Sequence, residues 1–144
     1  MEPSFTLAPD PLPPNTYIKK PSILHYSDTH ASLDLGRHIL TEIEACEVLR
    51  KSPHPNVARI LAVLLRTYFM TLSQRMREAA TFDKSLCLRG IEDGVRHMHS
   101  LGLVHNDLNP SNIMMDGNRP VVINFDSCKR EGDRLGLKGG TFDW

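Results

Sequence analysis

No glycine precedes Gly36, and the 144-residue chain holds nine in all. A phosphate-cradling glycine loop near the N-terminus is therefore excluded, because glycine is what lets backbone amides close on a phosphate. Cysteine is also scarce. Cys46, Cys87 and Cys128 are an odd number, far apart, with no CxxC pair. That pattern argues against a disulfide framework or a zinc site, and points to a reducing, intracellular and cytoplasmic setting. Charge of one sign is missing: 17 Lys and Arg balance 17 Asp and Glu. This excludes a nucleic-acid binder that works by bulk charge, and a polybasic membrane anchor. The longest apolar run, Ile60 to Leu65, is six residues, far short of the roughly 20 that a membrane span needs. No basic region followed by an apolar stretch opens the chain, so no signal peptide is expected. What remains, at 40% hydrophobic and 24% charged, is ordinary for one globular domain.

The chain divides by composition. Six of the ten prolines lie in residues 1–21, which reads as an extended arm, with a short strand at Tyr17-Ile18-Lys19. Ile39, Ile43 and Cys46 at i, i+4, i+7, widened by Leu40 and Leu49, predict a helix from His38 to Lys51, stopped by Pro53 and Pro55. Val57 to Leu65 is apolar apart from Arg59, so extended or buried. Thr71 opens a short helix to Ala80. Asp83 or Ser85 caps a stronger one with Leu88, Ile91, Val95 and Met98 on one face, ended by Gly102. His97 and His99, two apart, face different ways and are no metal pair. Leu103-Val104 is a strand. Ile113-Met114-Met115 and Val121-Val122-Ile123, around Asp116-Gly117-Asn118, form a hairpin.

The chemistry lies in the loop His105-Asn106-Asp107-Leu108-Asn109-Pro110-Ser111-Asn112. A carboxylate, Asp107, is followed five residues later by an amide, Asn112, in a polar, proline-bearing loop between a helix end and a hairpin. The plainer alternative is that Asp107 is a turn residue and Asn112 a hairpin cap.

This loop resembles the protein-kinase catalytic loop, H-R-D-L-x-x-x-N. The flanks resemble kinases as well. Val95-Arg96-His97-Met98-His99-Ser100-Leu101-Gly102 looks like the helix end before that loop. Ile123-Asn124-Phe125-Asp126 sits where the D-F-G metal motif belongs. Glu42-Ile43-Glu44-Ala45-Cys46-Glu47 and His54-Pro55-Asn56-Val57 look like the helix that carries the lysine's partner glutamate, and the turn after it. Gly139-Gly140-Thr141-Phe142-Asp143-Trp144 resembles the end of an activation segment. The wording is most similar to kinase-like proteins of filamentous fungi.

The resemblance implies an α+β, truncated protein-kinase-like fold. Residues 1–14 would be the arm, 15–70 a remnant small lobe, and 71–144 a partial large lobe. It implies Asp107 as the catalytic base and Asn109 at the place of the lysine that steadies the transferred phosphate. Asn112, with Asn124 or Asp126, would hold magnesium. Lys19, with Lys20 as the alternative, would pair with Glu44 to orient the phosphates of ATP, although Thr41 and Glu44 also spell a helix capping box. The partners implied are ATP and a protein substrate carrying a serine or threonine hydroxyl. Departures temper this. The glycine loop is missing, the stretch from His54 to Met70 is short, Asn106 replaces the arginine of the loop, and neutral Asn124 replaces a metal-binding aspartate. Three competing readings stand beside it: a catalytically inactive pseudokinase acting as a binding module, a gene fragment, and a small-molecule phosphotransferase of the aminoglycoside-kinase type.

Overall fold

The structure is a computed structural model that describes residues 6, 8–19, 29–61, 64–66, 70–78 and 81–134. The expected activation-segment end at Gly139 to Trp144 and the alternative lysine Lys20 lie outside the described residues. The elements run β1 (Thr16–Ile18), α1 (Thr29–Lys51), β2 (Leu64–Arg66), β3 (Met70–Thr71), α2 (Leu72–Arg77), α3 (Lys84–Ser100), β4 (Leu103–Val104), a 3₁₀ turn (Pro110–Asn112), β5 (Ile113–Asp116), β6 (Arg119–Val122) and β7 (Lys129–Arg130). β1 pairs with β2, β4 with β7, and β3, β5 and β6 form a three-stranded sheet, all antiparallel. The class is α+β.

Local chemistry explains most boundaries. The Asp83 carboxylate caps α3 by accepting the Leu86 amide at 2.9 Å, and Gly102, at φ +73°, carries the chain out of it. Thr71 and Gln74 build a reciprocal capping box on α2. Gly117, at φ +62°, supplies the backbone hand that a two-residue hairpin loop demands between β5 and β6. α1 begins at Thr29 rather than His38. Ala31, Leu33 and Leu35 recur every second residue there and carry no helical stripe.

The buried face of α3 departs from the predicted stripe. Leu88 is 56% exposed, and the inward positions are Cys87, Ile91, Gly94 and Met98. Glycine sits at position 94 because the backbone of Asn56 lies against the helix there. A Cβ on Gly94 would come within 2.7 Å of the Asn56 carbonyl oxygen. The 54–58 segment is in turn stitched to β6. The Val122 amide donates to Asn56 O and the Ala58 amide to Val122 O, both at 2.8 Å, and Asn56 Nδ2 donates to Pro120 O at 2.9 Å. The core of fully buried side chains gathers at this junction: Met98, Ile113, Val121, Val122 and Phe125.

His54 stacks on His97 with ring centroids 4.7 Å apart. His54 Nδ1 accepts the Asn56 amide, and His97 Nε2 lies 2.6 Å from Ser52 O. His99 points away and is exposed. Burial, then the neighbouring His97, pushes the His54 pKa down, with Asp93 pulling weakly the other way.

Two predictions follow from this junction. Gly94→Ala should destabilise by roughly 2 kcal/mol through overpacking, even though alanine is worth about 1 kcal/mol more than glycine in a helix interior. Urea unfolding of both proteins checks it, and a stabilised variant refutes the close approach. For the histidine stack, a depressed folded pKa means the unfolded chain takes up the proton first. Stability is then fully present above the ordinary value of 6.5 and falls as pH drops below it. His54→Asn keeps an acceptor for the Asn56 amide and removes the titration. Between pH 7 and pH 5 the melting temperature of the parent should therefore fall further than that of the variant.

Candidate functional site

The loop after β4 is held from beneath by His105. This side chain is buried, lies edge-on to Phe125 at 6.0 Å, and places Nε2 2.8 Å from Ile123 O. Its Nδ1 accepts the Asp107 amide at 3.3 Å, so the proton resides on Nε2 and is donated to that carbonyl. Asn106 between them has φ +63°, a left-handed conformation that asparagine tolerates better than arginine would.

Asp107 is ringed by amides. Asn112 Nδ2 donates to its backbone carbonyl at 2.8 Å and to Oδ2 at 3.2 Å. Asn109 Nδ2 donates to the same carbonyl at 3.1 Å. Asn109 Oδ1 also accepts the Ser111 amide, capping the 3₁₀ turn that brings Asn112 back towards Asp107. The turn expected of Asp107 and Asn112 thus exists, and it leaves the carboxylate aimed and partly exposed.

Asn124 follows β6 at φ +65°. Its Nδ2 donates to Asn112 Oδ1 at 3.1 Å, and its Oδ1 accepts from Lys19 Nζ at 2.7 Å. Lys19, placed by the end of β1, reaches Glu42 Oε1 at 2.6 Å and lies 3.9 Å from Asp126 Oδ2. A continuous polar line therefore runs Glu42–Lys19–Asn124–Asn112–Asp107. Lys19, Asn112, Asn124, Asp107 and Asp126 come together as expected candidates, and Asn109 braces them.

The glutamate that meets Lys19 is Glu42, not the Glu44 of the sequence register. Glu44 faces the other way, 3.7 Å from Arg130. It is no capping box either, since Thr41 lies inside α1 with its hydroxyl on Arg37 O. Glu42 was legible in hindsight. With Ala45, Cys46 and Leu49, all buried, it makes an i, i+3, i+4, i+7 stripe. A second contact had no sequence signal. The Thr6 amide and hydroxyl both donate to the Glu47 carboxylate at 3.0 Å, tying the N-terminal arm to α1.

Magnesium prefers hard oxygen donors, above all carboxylates. Here both amide oxygens at the expected cation position are committed, Asn112 Oδ1 to an N–H and Asn124 Oδ1 to an ammonium. Among the described residues no group of three or more His, Cys, Asp or Glu side chains is placed to hold a metal. The residues in this arrangement do not fit a divalent cation. Beside the site, Cys46 and Cys128 are free and buried. Burial, then Glu42, pushes the Cys46 thiol up to about 12, and burial, then Cys46, raises Cys128 likewise. Such thiols are poor nucleophiles.

The serine/threonine-protein kinase/endoribonuclease IRE1 of Hypocrea jecorina is 33% identical over 119 residues, covering 66% of this chain and 10% of its own length. The chain is protein-kinase-like. The serine/threonine-protein kinase PSK1 of Saccharomyces cerevisiae is 26% identical over 122 residues, covering 73% of the kinase-like chain and 9% of that protein. The human serine/threonine-protein kinase H1 is 28% identical over 118 residues, covering 66% and 28%. The chain thus spans between about a tenth and under a third of the length of these curated relatives. No family model matches it. Among the described residues no helix is long and apolar enough to cross a membrane.

The geometry separates two roles within the kinase-like loop. His105→Ala should cost about 2–3 kcal/mol, because it removes a buried ring and orphans the Ile123 carbonyl. Asp107→Ala should stay within about 0.5–1 kcal/mol, since its carboxylate is partly exposed and its backbone carbonyl keeps both amide partners. Denaturant melts of the two variants test this, and the reverse order would make the carboxylate structural.

Proposed function

We propose that this domain carries a phosphoryl-transfer site of protein-kinase type, with ATP as donor and a protein serine or threonine hydroxyl as acceptor. The observation that carries the reading is the polar line from Glu42 to Asp107. It sets an ammonium at one end, oriented by Glu42 for phosphate oxygens, and an aimed carboxylate at the other, ready to accept a hydroxyl proton. In phosphoryl transfer most of the catalysis is positioning and charge stabilisation. In this reading residues 15–70 correspond to a remnant small lobe and 71–144 to part of a large lobe, with the site between them.

The same chemistry makes the transfer slow. Magnesium is the family's general cofactor, but its ligands are committed as described, and no step is assigned to it. Asn124 in place of a carboxylate withdraws a negative charge worth roughly 3 kcal/mol of stabilisation, about a hundredfold in rate. Residues 1–35 contain no glycine, so this stretch supplies no glycine cover over the phosphates. Asn124 also favours a second reading, a non-catalytic kinase-like binding module.

Thermal shift with ATP and transfer of labelled phosphate to a mixed protein substrate test both readings. The expected outcome is no melting shift at micromolar ATP, and a low transfer rate that Asp107→Ala abolishes. Transfer that survives Asp107→Ala would refute the assignment of the base. Transfer to small metabolites but not to proteins would replace the acceptor class. No transfer at any ATP concentration would leave the binding module.

A further inference from the structure

The side chain of Asn124 is bipolar, and both of its ends are used. Lys19 Nζ can only donate, so the atom facing it at 2.7 Å is the amide oxygen. The nitrogen must then face Asn112, whose oxygen receives it at 3.1 Å. Asn112 cannot turn round to change this. Its own nitrogen is held by the Asp107 carbonyl and carboxylate, and reversal would set oxygen against oxygen. The orientation of both amides is therefore dictated by their neighbours along the whole line.

We propose that the Lys19 ammonium and the Asn124 amide together stand in for a divalent cation, so that this cluster is complete without metal and becomes cation-responsive when the Asn124 amide is lost, most strongly with an aspartate at 124. The ammonium supplies the positive charge between Glu42 and Asp126. The amide N–H₂ supplies what a cation would otherwise offer to Asn112 Oδ1. An aspartate at 124 could still accept from Lys19, but it would turn a second carboxylate oxygen onto Asn112 Oδ1. Two acceptors would then face each other about 3.1 Å apart, beside the carboxylates of Asp107, Asp126 and Glu42 with Lys19 as the cation among them. A bound cation relieves that contact while Asn112 stays in place and the carboxylate stays ionised. Asn124 is in this sense a positioning residue. Its effect is on the cation response of the protein itself, whether or not the domain transfers phosphate.

The test uses the chain without nucleotide, so its outcome is independent of the proposed activity. Thermal unfolding is recorded in EDTA and in 10 mM magnesium chloride, with sodium chloride matched for ionic strength, and manganese binding is followed by electron paramagnetic resonance. The parent should melt at the same temperature in both solutions and bind no stoichiometric manganese. Asn124→Asp should melt several degrees lower in EDTA, recover with magnesium, and bind one manganese ion. Asn124→Gly suits φ +65° and deletes the amide, so it should free Asn112 Oδ1 and gain manganese binding over the parent. It decides the matter if the aspartate variant fails to fold in either solution. A parent stabilised by magnesium beyond the ionic-strength control overturns the proposal. So does an Asn124→Asp protein that folds and ignores cations, or an Asn124→Gly protein as indifferent as the parent.

Discussion

Two backbone hydrogen bonds, Val122 N–H to Asn56 O and Ala58 N–H to Val122 O, set the spacing on which the rest depends. α1 brings Glu42 to the site and runs on into residues 52–58. β6 brings Asn124 to the site two residues after Val122. The stitch between these segments thus fixes how far Glu42 stands from Asn124, and Lys19 fits the gap that is left. It survives because water is kept out. Gly94 lets α3 close over the Asn56 backbone, and the side chain of Asn56 satisfies the Pro120 carbonyl that the sheet leaves over.

The elements with strong local signals were readable in the chain. Asp83, Thr71, Gly102 and Gly117 marked their caps and turns, and the Asp107 to Asn112 spacing marked the loop. What was not readable came from tertiary contact. The inward face of α3 is set by what packs on it, so Cys87 and Gly94 displaced Leu88 from the predicted stripe. Glu44 matched the kinase spacing, but the helix phase of Cys46 and Leu49 puts Glu42 inward instead, two residues and some 200° away. The tie of Thr6 to Glu47 bridges 41 residues and leaves no trace in either segment alone.

Asparagine is the working residue of the site. Asn106 and Asn124 accept left-handed backbone, Asn109 caps a turn while bracing Asp107, and Asn112 and Asn124 interlock. An amide can donate and accept at once, so such side chains build a line with no charge repulsion between its links. Charge is confined to the two ends of the line and to Asp126 beside Lys19. This is a site organised by hydrogen-bond direction more than by electrostatic field.

The Lys19–Asn124 contact joins residues 105 positions apart, and this has a consequence for how the molecule assembles. Closing a loop of that length costs more chain entropy than any local turn, and one charged hydrogen bond cannot repay it alone. The contacts of the β5–β6 hairpin and α3 are between near neighbours in sequence, and the pairing of residues 56–58 with β6 shortens the effective loop that Lys19 must close. Loop-closure entropy therefore predicts that the polar line forms after these local elements. By the same reasoning the line is expected to open before the buried core does, so that the site can loosen while the core stays folded.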